Sequence, residues 1–560
     1  MASLMELIER VNRGELIDPA QLEIYQESSN SAEKFLAHHA HAMLDLRRAQ
    51  QHMMQSLEAI DYSDQKVLNQ FMSVSSFLGL TDLRAGPVAK FGACAIGRRE
   101  YALGLEAIQN AVSFDLAQRG SWTSDRENCQ FVANQYERAA RGIGWSAPEP
   151  PPFDGQNRQT RIGLIVSSIS DDDATARMIR ALARYLDNKR FQLIVYSTEA
   201  AARREKQPFG LIAYVPASRK RGVTTIGELA SRGIEFWTTP VEGDVATAAK
   251  DLADKLIADK IDLALFDATQ ADPIAALIAT WETAPIKVNL CRETPLFSGA
   301  VNCITYLDAV RFETDREYWQ KRGMESKFIL EGADTEAALG ALPARSAYGI
   351  PENSVVLATA GNNLDKSLSG EFIDAIVTIL RAHPNAIYLL IGDADLAWQK
   401  RKFESAGVGK RVGFAGKRKD LPGFLRIADL YLAEFPTASA FGVLQAMSVE
   451  RPVVAAKCGE DAETSQAATL VGSEGVILGK DTAAYVDRVG KIIKDKSYRA
   501  KLGKMMRTRV EQHFSFAQTT RQFEQMFDQL IQSRFENSQG AGPTRIATQQ
   551  EGHQPIAEVA

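Results

Sequence analysis

Residues 358–366 read ATAGNNLDK, and residues 434–447 read EFPTASAFGVLQAM. Both stretches have the pattern of a buried strand, a loop of polar or small residues, and the beginning of a helix. The first places Lys366 after a polar turn, and the second places small residues where its helix begins. Free backbone N–H groups and the positive end of the helix dipole favour an anion at such a helix start. Together the two stretches predict a site for a pyrophosphate group.

The order of strand, loop and helix is repeated on both sides of these stretches. A first series has strand patterns at 161–167, 191–197, 234–238, 261–266 and 287–290, with helical patterns at 176–186 and 246–258. A second series has strand patterns at 355–359, 386–392, 412–415, 430–433 and 452–456, with helical patterns at 370–382 and 443–449. Strands that alternate with helices imply a parallel sheet. The sequence therefore predicts an α/β fold of two tandem doubly wound, Rossmann-like domains, with the ligand in the crevice between them.

Helical patterns dominate the chain before these domains. Residues 40–60 and 101–116 carry apolar residues at helical spacing, and strand-like alternation is scarce, so residues 1–150 are predicted to form an all-helical N-terminal domain. No period near 34 residues is sustained, which argues against a tetratricopeptide array. Prolines at 148 and 150–152 indicate a linker. We predict Rossmann-like domains at 158–340 and, with C-terminal helices, at 350–535, and a disordered tail at 537–560 that is rich in Gly, Gln and Pro.

The composition excludes several classes of protein. Lys plus Arg (65) nearly balance Asp plus Glu (70), so there is no global electrostatic footprint for nucleic acid, and membrane association is not indicated. The five cysteines are widely spaced and contain no C-x-x-C pattern, which argues against a disulfide framework and a zinc site. The N-terminus lacks the basic flank and apolar core of a signal peptide. We expect a cytoplasmic protein; the sequence does not specify its oligomeric state.

Four separated pieces of the chain, in order, resemble the catalytic region of the family 41 glycosyltransferases, which include O-GlcNAc transferase and the bacterial cytoplasmic N-glucosyltransferases of adhesins. The pieces are RIGLIVSS (161–168) with DNKRFQLIVYS (187–197), APIKVNL (284–290) continuing to 308, NNLDK (362–366) continuing to 391, and ADLYLAEFP (428–436) continuing to PVV (452–454). The likeness covers roughly residues 158–530. It implies the GT-B fold and a hexosyltransferase that uses a nucleotide sugar, UDP-linked, as a substrate, with no cofactor and no metal.

The resemblance also implies roles for particular residues. Lys366 takes the place of the family's pyrophosphate-binding lysine and would stabilise the departing diphosphate without a metal. The loop of small residues in the 434–447 stretch would hold the phosphates, and residues 412–417 would hold the nucleobase. The implied donor-binding set is Asn362, Asn363, Phe414, Ala415, Lys417, Thr437, Ser439, Phe441, Gly442 and Gln445. The alternatives are a surface lysine, an ordinary strand-to-helix turn and a core role for Phe414.

Two positions bear on stereochemistry and on the donor ribose. Retaining transferases of this architecture commonly carry two glutamates in the phosphate loop, whereas Thr437 and Gln445 occupy the matching positions here. Their absence favours an inverting displacement. Gln445 also stands where the family usually presents an acidic residue to the ribose, and an amide can still donate and accept hydrogen bonds.

An inverting reaction can require a base that takes the proton of the acceptor. The histidine that O-GlcNAc transferase has after its first strand is missing, and Asp173 in the loop SDDDAT (170–175) falls nearest to its place. Asp173 is therefore the candidate base, and the alternative is a helix N-cap. The histidines at 38, 39, 41 and 52 are interpreted as a solvated or interface face of a helix. D-x-D patterns at 171–173 and 393–395 match those with which metal-dependent glycosyltransferases of a different, single-domain fold hold a metal. The two tandem α/β domains predicted here argue against that fold.

Three functional hypotheses follow. The main one is transfer of a sugar to a protein side chain, Asn or Ser/Thr, that the helical N-terminal domain would position. The first alternative is a transferase for a polysaccharide or a lipid-linked sugar, with a basic membrane-docking face at Arg177, Arg180, Arg184 and 203–206. The second alternative is a non-catalytic protein that keeps the fold.

Overall fold

The structure of the chain is a computed structural model. It describes residues 3–12, 17–44, 49–78, 80, 83, 85–119, 126–147, 158–171, 173–200, 202–203, 222–292, 295–296, 299–307, 309–336, 341–361, 364–392, 396–435, 438, 440–457, 466–473, 475–478 and 482–540. A helical region and then two parallel sheets follow one another, as the sequence predicts. No described helix is both long and apolar enough to span a bilayer.

The helical region precedes the first sheet. Its described helices are α1 (Leu4–Asn12), α2 (Ala20–Gln26), α3 (Ser31–Leu44), α4 (Ala49–Glu58), α5 (Gln65–Phe77), α6 (Ala85–Gly97), α7 (Tyr101–Arg119) and α8 (Arg126–Ile143). Its core is continuous with one face of the first sheet, because Phe91 and Leu105 belong to the same buried cluster as Phe266. The Tyr136 hydroxyl donates to the Gln270 carbonyl at 2.6 Å, which fixes α8 on the α/β domain.

The four histidines of this region are buried, which corrects their interpretation as a solvated face. His38, His39, His41 and His52 are all less than 10% exposed. The rings of His41 and His52 stack with centroids 4.1 Å apart, and His39 lies between Phe35 and Phe71. Burial lowers the pKa of His39 to about 3, because the interior disfavours the charged imidazolium.

The first sheet is parallel, with strand order β3-β2-β1-β4-β5-β6-β7. Its strands are β1 (Thr160–Val166), β2 (Phe191–Ser197), β3 (Glu235–Thr238), β4 (Leu263–Asp267), β5 (Ile286–Cys291), β6 (Cys303–Tyr306) and β7 (Glu325–Phe328). Its helices are α9 (Ala174–Tyr185), α10 (Val223–Ser231), α11 (Val245–Ala258), α12 (Pro273–Thr280) and α13 (Ala309–Lys321). The sequence does not predict β6 and β7 as strands. β7 (ESKF) lies at the edge of the sheet and none of its residues is buried. Its sequence therefore has no run of apolar residues that would predict a strand.

The second sheet is also parallel, with order β10-β9-β8-β11-β12-β13. Its strands are β8 (Val355–Ala360), β9 (Ala386–Ile391), β10 (Val412–Phe414), β11 (Leu430–Leu432), β12 (Val453–Lys457) and β13 (Val476–Leu478). Its helices are α14 (Leu364–Ser367), α15 (Gly370–Ala382), α16 (Ala397–Ser405), α17 (Leu421–Leu425), α18 (Ala440–Ser448), α19 (Gln466–Val471), α20 (Thr482–Lys494) and α21 (Lys496–His513). Short 3-10 helices lie at Arg345–Tyr348 and Gly409–Arg411.

The last helix, α22 (Phe516–Gly540), returns to the first α/β domain. Its Phe523 and Phe527 belong to the core on the face of the first sheet opposite the helical region. Where the chain returns, Ala333 of the interdomain connector donates its N–H to the Phe514 carbonyl at 2.7 Å. The two segments that connect the α/β domains, one at Ala333 and one at Phe514, therefore lie side by side. Residues 537–540 of the predicted tail lie in α22, and 541–560 lie outside the described residues.

Candidate active site between the two sheets

The two quoted stretches follow β8 and β11, the adjacent strands where the strand order of the second sheet reverses. Ligands of open α/β sheets bind at this switch point, beyond the carboxyl ends of the strands. The Tyr431 hydroxyl of β11 joins the ends of the two strands, since it donates to the Ala360 carbonyl of β8 at 3.0 Å and accepts from the Ala360 N–H at 3.1 Å. The Ser369 hydroxyl donates to the Phe435 carbonyl at 2.7 Å and adds a second connection.

Helix α18 begins in close contact with the ends of both strands. A Cβ at Gly442 would lie 2.3 Å from the Tyr431 hydroxyl oxygen and 2.5 Å from the Ala360 carbonyl oxygen. Side chains essentially do not reach these distances, so glycine is required for the helix to approach this closely. The first turn of α18 contains no acidic residue, and its positive dipole end faces the cleft side of the sheet.

The other predicted donor-binding residues are distributed around this point. Lys366 lies in α14, and its side chain is outside the described part of the structure, as are Asn362, Asn363, Thr437 and Ser439. Gln445 is buried in α18 at 4% exposure. Phe441 and Gly442 form the first turn of the same helix.

The predicted nucleobase loop follows β10, which lies two strands away from β8. Two inter-strand spacings amount to about 10 Å, a separation that a nucleotide can bridge. Phe414 is 41% exposed there, Ala415 donates its N–H to the Leu390 carbonyl at 2.8 Å, and Lys417 is exposed. The exposure of Phe414 argues against the alternative of a core residue.

Glu434 is a buried carboxylate that the sequence analysis missed as a site residue. It follows β11 and is 3% exposed. Burial raises the pKa of the Tyr431 hydroxyl, and the nearby charge of Glu434 raises it further. Tyr431 therefore stays protonated and keeps the hydrogen bond that it donates to Ala360. Glu434 could have been identified in the sequence, because it lies two residues after the apolar strand β11.

Asp173 of the first domain caps helix α9. Its carboxylate accepts the Ala176 N–H at 2.8 Å, which is the geometry of the N-cap alternative. The same carboxylate also contributes to the electrostatic environment of Arg292. Its role as a base therefore stays a prediction.

Four charged residues that the sequence analysis did not assign to the site meet at the cleft. Arg292, which directly follows β5, donates its Nε–H to Asp267 at 2.7 Å and lies 3.5 Å from Glu331 of the connector. Glu331 also accepts from Arg177 at 3.0 Å. The Arg177 guanidinium lies 3.8 Å from the ring centroid of Phe441 in the second domain. Asp267 and Arg292 could have been found from their positions at the carboxyl ends of strands.

A cavity of about 180 Å³ lies at this cluster, and residues of both α/β domains line it. Its walls include Arg292, Leu307 and Glu331 on one side, and Phe441 and Leu444 on the other. Ligand pockets commonly measure about 300–1,000 Å³, so this cavity suits part of a nucleotide sugar rather than the whole molecule.

The residues of the D-x-D pattern at 171–173 serve as helix caps. Asp171 accepts the Thr225 N–H at 2.8 Å. Burial alone would raise the pKa of Asp171, but the hydrogen bonds from Thr225 and Thr224 lower it. Asp172 and 393–395 lie outside the described residues, and no group of three or more His, Cys, Asp or Glu in the described part is arranged to hold a metal.

The arginines of α9 in the predicted basic membrane face pair with carboxylates, and Arg203 is buried and donates to the carbonyls of Gly243 and Pro240, which corrects that expectation for the described members. Arg180 lies 3.6 Å from Glu228, and Arg184 donates to Glu228 at 2.5 Å and also pairs with Asp334. Arg177 is engaged by Glu331. Residues 204–206 lie outside the described residues.

Comparisons with known proteins agree with this geometry. Residues 356–495 match the family model for glycosyl transferases group 1. The structure of a mutant O-GlcNAc transferase from Thermobaculum terrenum has a TM-score of 0.55 at 15% identity, and the alignment covers 96% of this chain and 100% of that one. A glycosyltransferase from Rickettsia africae has a TM-score of 0.50 at 12% identity, with 67% and 99% covered. The structure has the α/β GT-B fold, and residues 356–495 are similar to the glycosyl transferases of group 1.

One curated protein with a similar sequence has a more specific name than the family model. The lipopolysaccharide core biosynthesis mannosyltransferase LpsB from Rhizobium meliloti is 25% identical over 217 residues, which are 36% of this chain and 60% of LpsB. The alignment thus spans less than two thirds of that relative. The family match is to group 1, so the resemblance to family 41 is not confirmed, and the likeness to O-GlcNAc transferase, at 15% identity, shows the fold alone.

Proposed function

We propose that this protein transfers a hexose from a nucleotide sugar to a saccharide acceptor of a cell-surface polysaccharide or lipid-linked glycan. The observation that carries the proposal is the group 1 match over 356–495, because it contains the two stretches that meet at the switch point of the second sheet. The similarity to a lipopolysaccharide core mannosyltransferase supports the acceptor class. The neutralised arginines of α9 favour recognition of the saccharide itself rather than adsorption to a lipid surface.

The donor is proposed to lie across the carboxyl ends of β8, β9 and β10. Lys366 and the first turn of α18 would stabilise the negative charge that develops on the departing diphosphate. Phe414 would hold the base, for which a UDP-linked donor is the first to test. The absence of glutamates at Thr437 and Gln445 supports an inverting displacement, with Asp173 as the proposed base.

A protein acceptor is the second candidate function. The helical region favours it, because its core is continuous with that of the first sheet and it packs as a fixed part of the first α/β domain. The group 1 match does not include this region. A side chain of Asn or Ser/Thr would then be the nucleophile.

A thermal-shift panel of UDP-, GDP- and ADP-sugars tests donor binding. A ligand at a hundredfold its Kd stabilises the native state by about 2.7 kcal/mol. The absence of a shift with every nucleotide would contradict the proposal. Transfer should be lost in Lys366→Ala and retained in Lys321→Ala, a control lysine whose side chain is 78% exposed on α13. If Lys366→Ala is as active as wild type, the proposed leaving-group site is wrong.

The acceptor classes are separated by offering the labelled donor to two acceptor pools, delipidated core oligosaccharide and a protein extract. Label in oligosaccharide alone supports the saccharide acceptor, and label in protein alone supports the second candidate. The anomeric configuration of the first product, measured by proton NMR, tests inversion. A product that retains the donor configuration would refute that part.

A further inference from the structure

Arg177 differs from the two arginines that follow it on the same helix face. Arg180 and Arg184 pair with carboxylates of the first domain and of the residues directly after it, Glu228 and Asp334. Arg177 instead extends toward the second domain, where its guanidinium lies 3.8 Å from the Phe441 ring centroid. It is thus the member of this face that reaches the helix proposed to bind the diphosphate.

The Arg177 guanidinium lies beside a helix start and shares the Glu331 carboxylate with Arg292. Phe441 is the second residue of α18, so the guanidinium lies near the positive dipole end of that helix, and the first turn contributes no acidic side chain. Two positive groups at close range repel each other, and an anion between them relieves the repulsion. Glu331 is the carboxylate that contacts Arg177, and it also lies 3.5 Å from Arg292.

The guanidinium also has an unused donor. Its Nη2 donates to Glu331 at 3.0 Å, whereas the buried Nε–H has no hydrogen-bond partner among the described residues. A planar guanidinium presents parallel N–H groups that match phosphate oxygens in a bidentate arrangement. A phosphate group at this point would satisfy the donor and separate the guanidinium from the helix end.

We infer that Arg177 is a donor-binding residue that contacts the diphosphate from the first domain, opposite the α18 N-terminus. Glu331 holds the guanidinium in place when no donor is bound. This inference rests on the proposed function. It makes the phosphate site a product of both α/β domains, because residues of each domain would contact the diphosphate.

The test measures binding of UDP and of uridine by titration calorimetry, with GDP and guanosine or ADP and adenosine used instead if the panel selects another base. Arg177→Gln should weaken binding of the diphosphate tenfold to a hundredfold, roughly the effect of losing charge-assisted hydrogen bonds. Binding of the nucleoside, which lacks phosphates, should change less than about twofold. The matched control Arg180→Gln should change the affinity for the diphosphate and for the nucleoside by less than about twofold.

The outcomes separate this inference from the proposed function. If the wild-type protein binds no nucleoside diphosphate, the proposed function fails. If it binds one and Arg177→Gln binds it equally well, the inference fails and the function stands. Should Arg177→Gln not fold, Glu331→Gln decides: a tighter diphosphate complex, by about twofold to tenfold, supports the inference, and an unchanged or weaker one overturns it.

Discussion

Replacing Gly442 by alanine should displace the start of α18 and damage the donor site. The new Cβ would lie 2.3 Å from the Tyr431 hydroxyl oxygen and 2.5 Å from the Ala360 carbonyl oxygen, about 1 Å inside ordinary contact. Neither oxygen can move cheaply, because the ring is fully buried and the carbonyl belongs to β8. Overpacking of this severity costs about 3 kcal/mol, and the better helix propensity of alanine returns about 1 kcal/mol. We expect a net loss of about 2 kcal/mol.

Urea unfolding at pH 7.5 and calorimetric titration with UDP measure the two effects of Gly442→Ala. The matched control is Gly370→Ala, which also lies near the start of a helix of the second domain, where an added Cβ meets no atom within 4 Å. The control should be neutral or slightly stabilised and should bind UDP like wild type. If Gly442→Ala matches the control in both stability and UDP affinity, the close approach of α18 does not define the site.

Three further predictions concern stability. His39 has a folded pKa of about 3 against 6.5 unfolded and binds its proton mainly in the unfolded state, so its own contribution to stability should fall by about 1.4 kcal/mol from pH 7.5 to 5.5. Urea melts of His39→Phe should show a loss that is smaller by this amount. Burial lowers the pKa of Lys287 to about 8 from 10.5, so its contribution should raise stability by about 2 kcal/mol from pH 7.5 to 9.5; a Lys287→Met variant with an equal gain would contradict this. Phe527→Ala, at a fully buried site on α22, should cost about 3–5 kcal/mol in urea unfolding, and a loss below 1 kcal/mol would show that α22 does not complete the first core.

The fold was predictable where apolar strands are long and covered on both faces. VVLATA at β8 is buried throughout and was predicted to within one residue. β7 was not predicted, because Glu325 is exposed at a sheet edge and the strand has no periodic signal. The burial of His39 was also not predictable, since the two phenylalanines beside it come from separate parts of the helical region and imidazole is polar by type.

The site was predictable only in part. The position of Gly442 at a helix start could be predicted because the loop and its helix start are local in sequence; its role in a phosphate loop stays a prediction. The cluster of Arg177, Arg292 and Glu331 could not be predicted, because its members come from a helix, a strand end and the interdomain connector. Such contacts between domains leave no local pattern. Asp173 could be interpreted from the sequence either as a helix cap or as a base, and the structure shows the cap.

The return of α22 to the first domain has a consequence for dissecting the protein. A first-domain fragment that stops at the connector, near Ala333, would lack Phe523 and Phe527 and would leave the apolar face beneath them in water. The segment that completes this half follows the whole second α/β domain in the sequence. The first α/β half therefore cannot reach its native state during translation until the second half has been made, and separately expressed halves should become soluble only when α22 is supplied to the first.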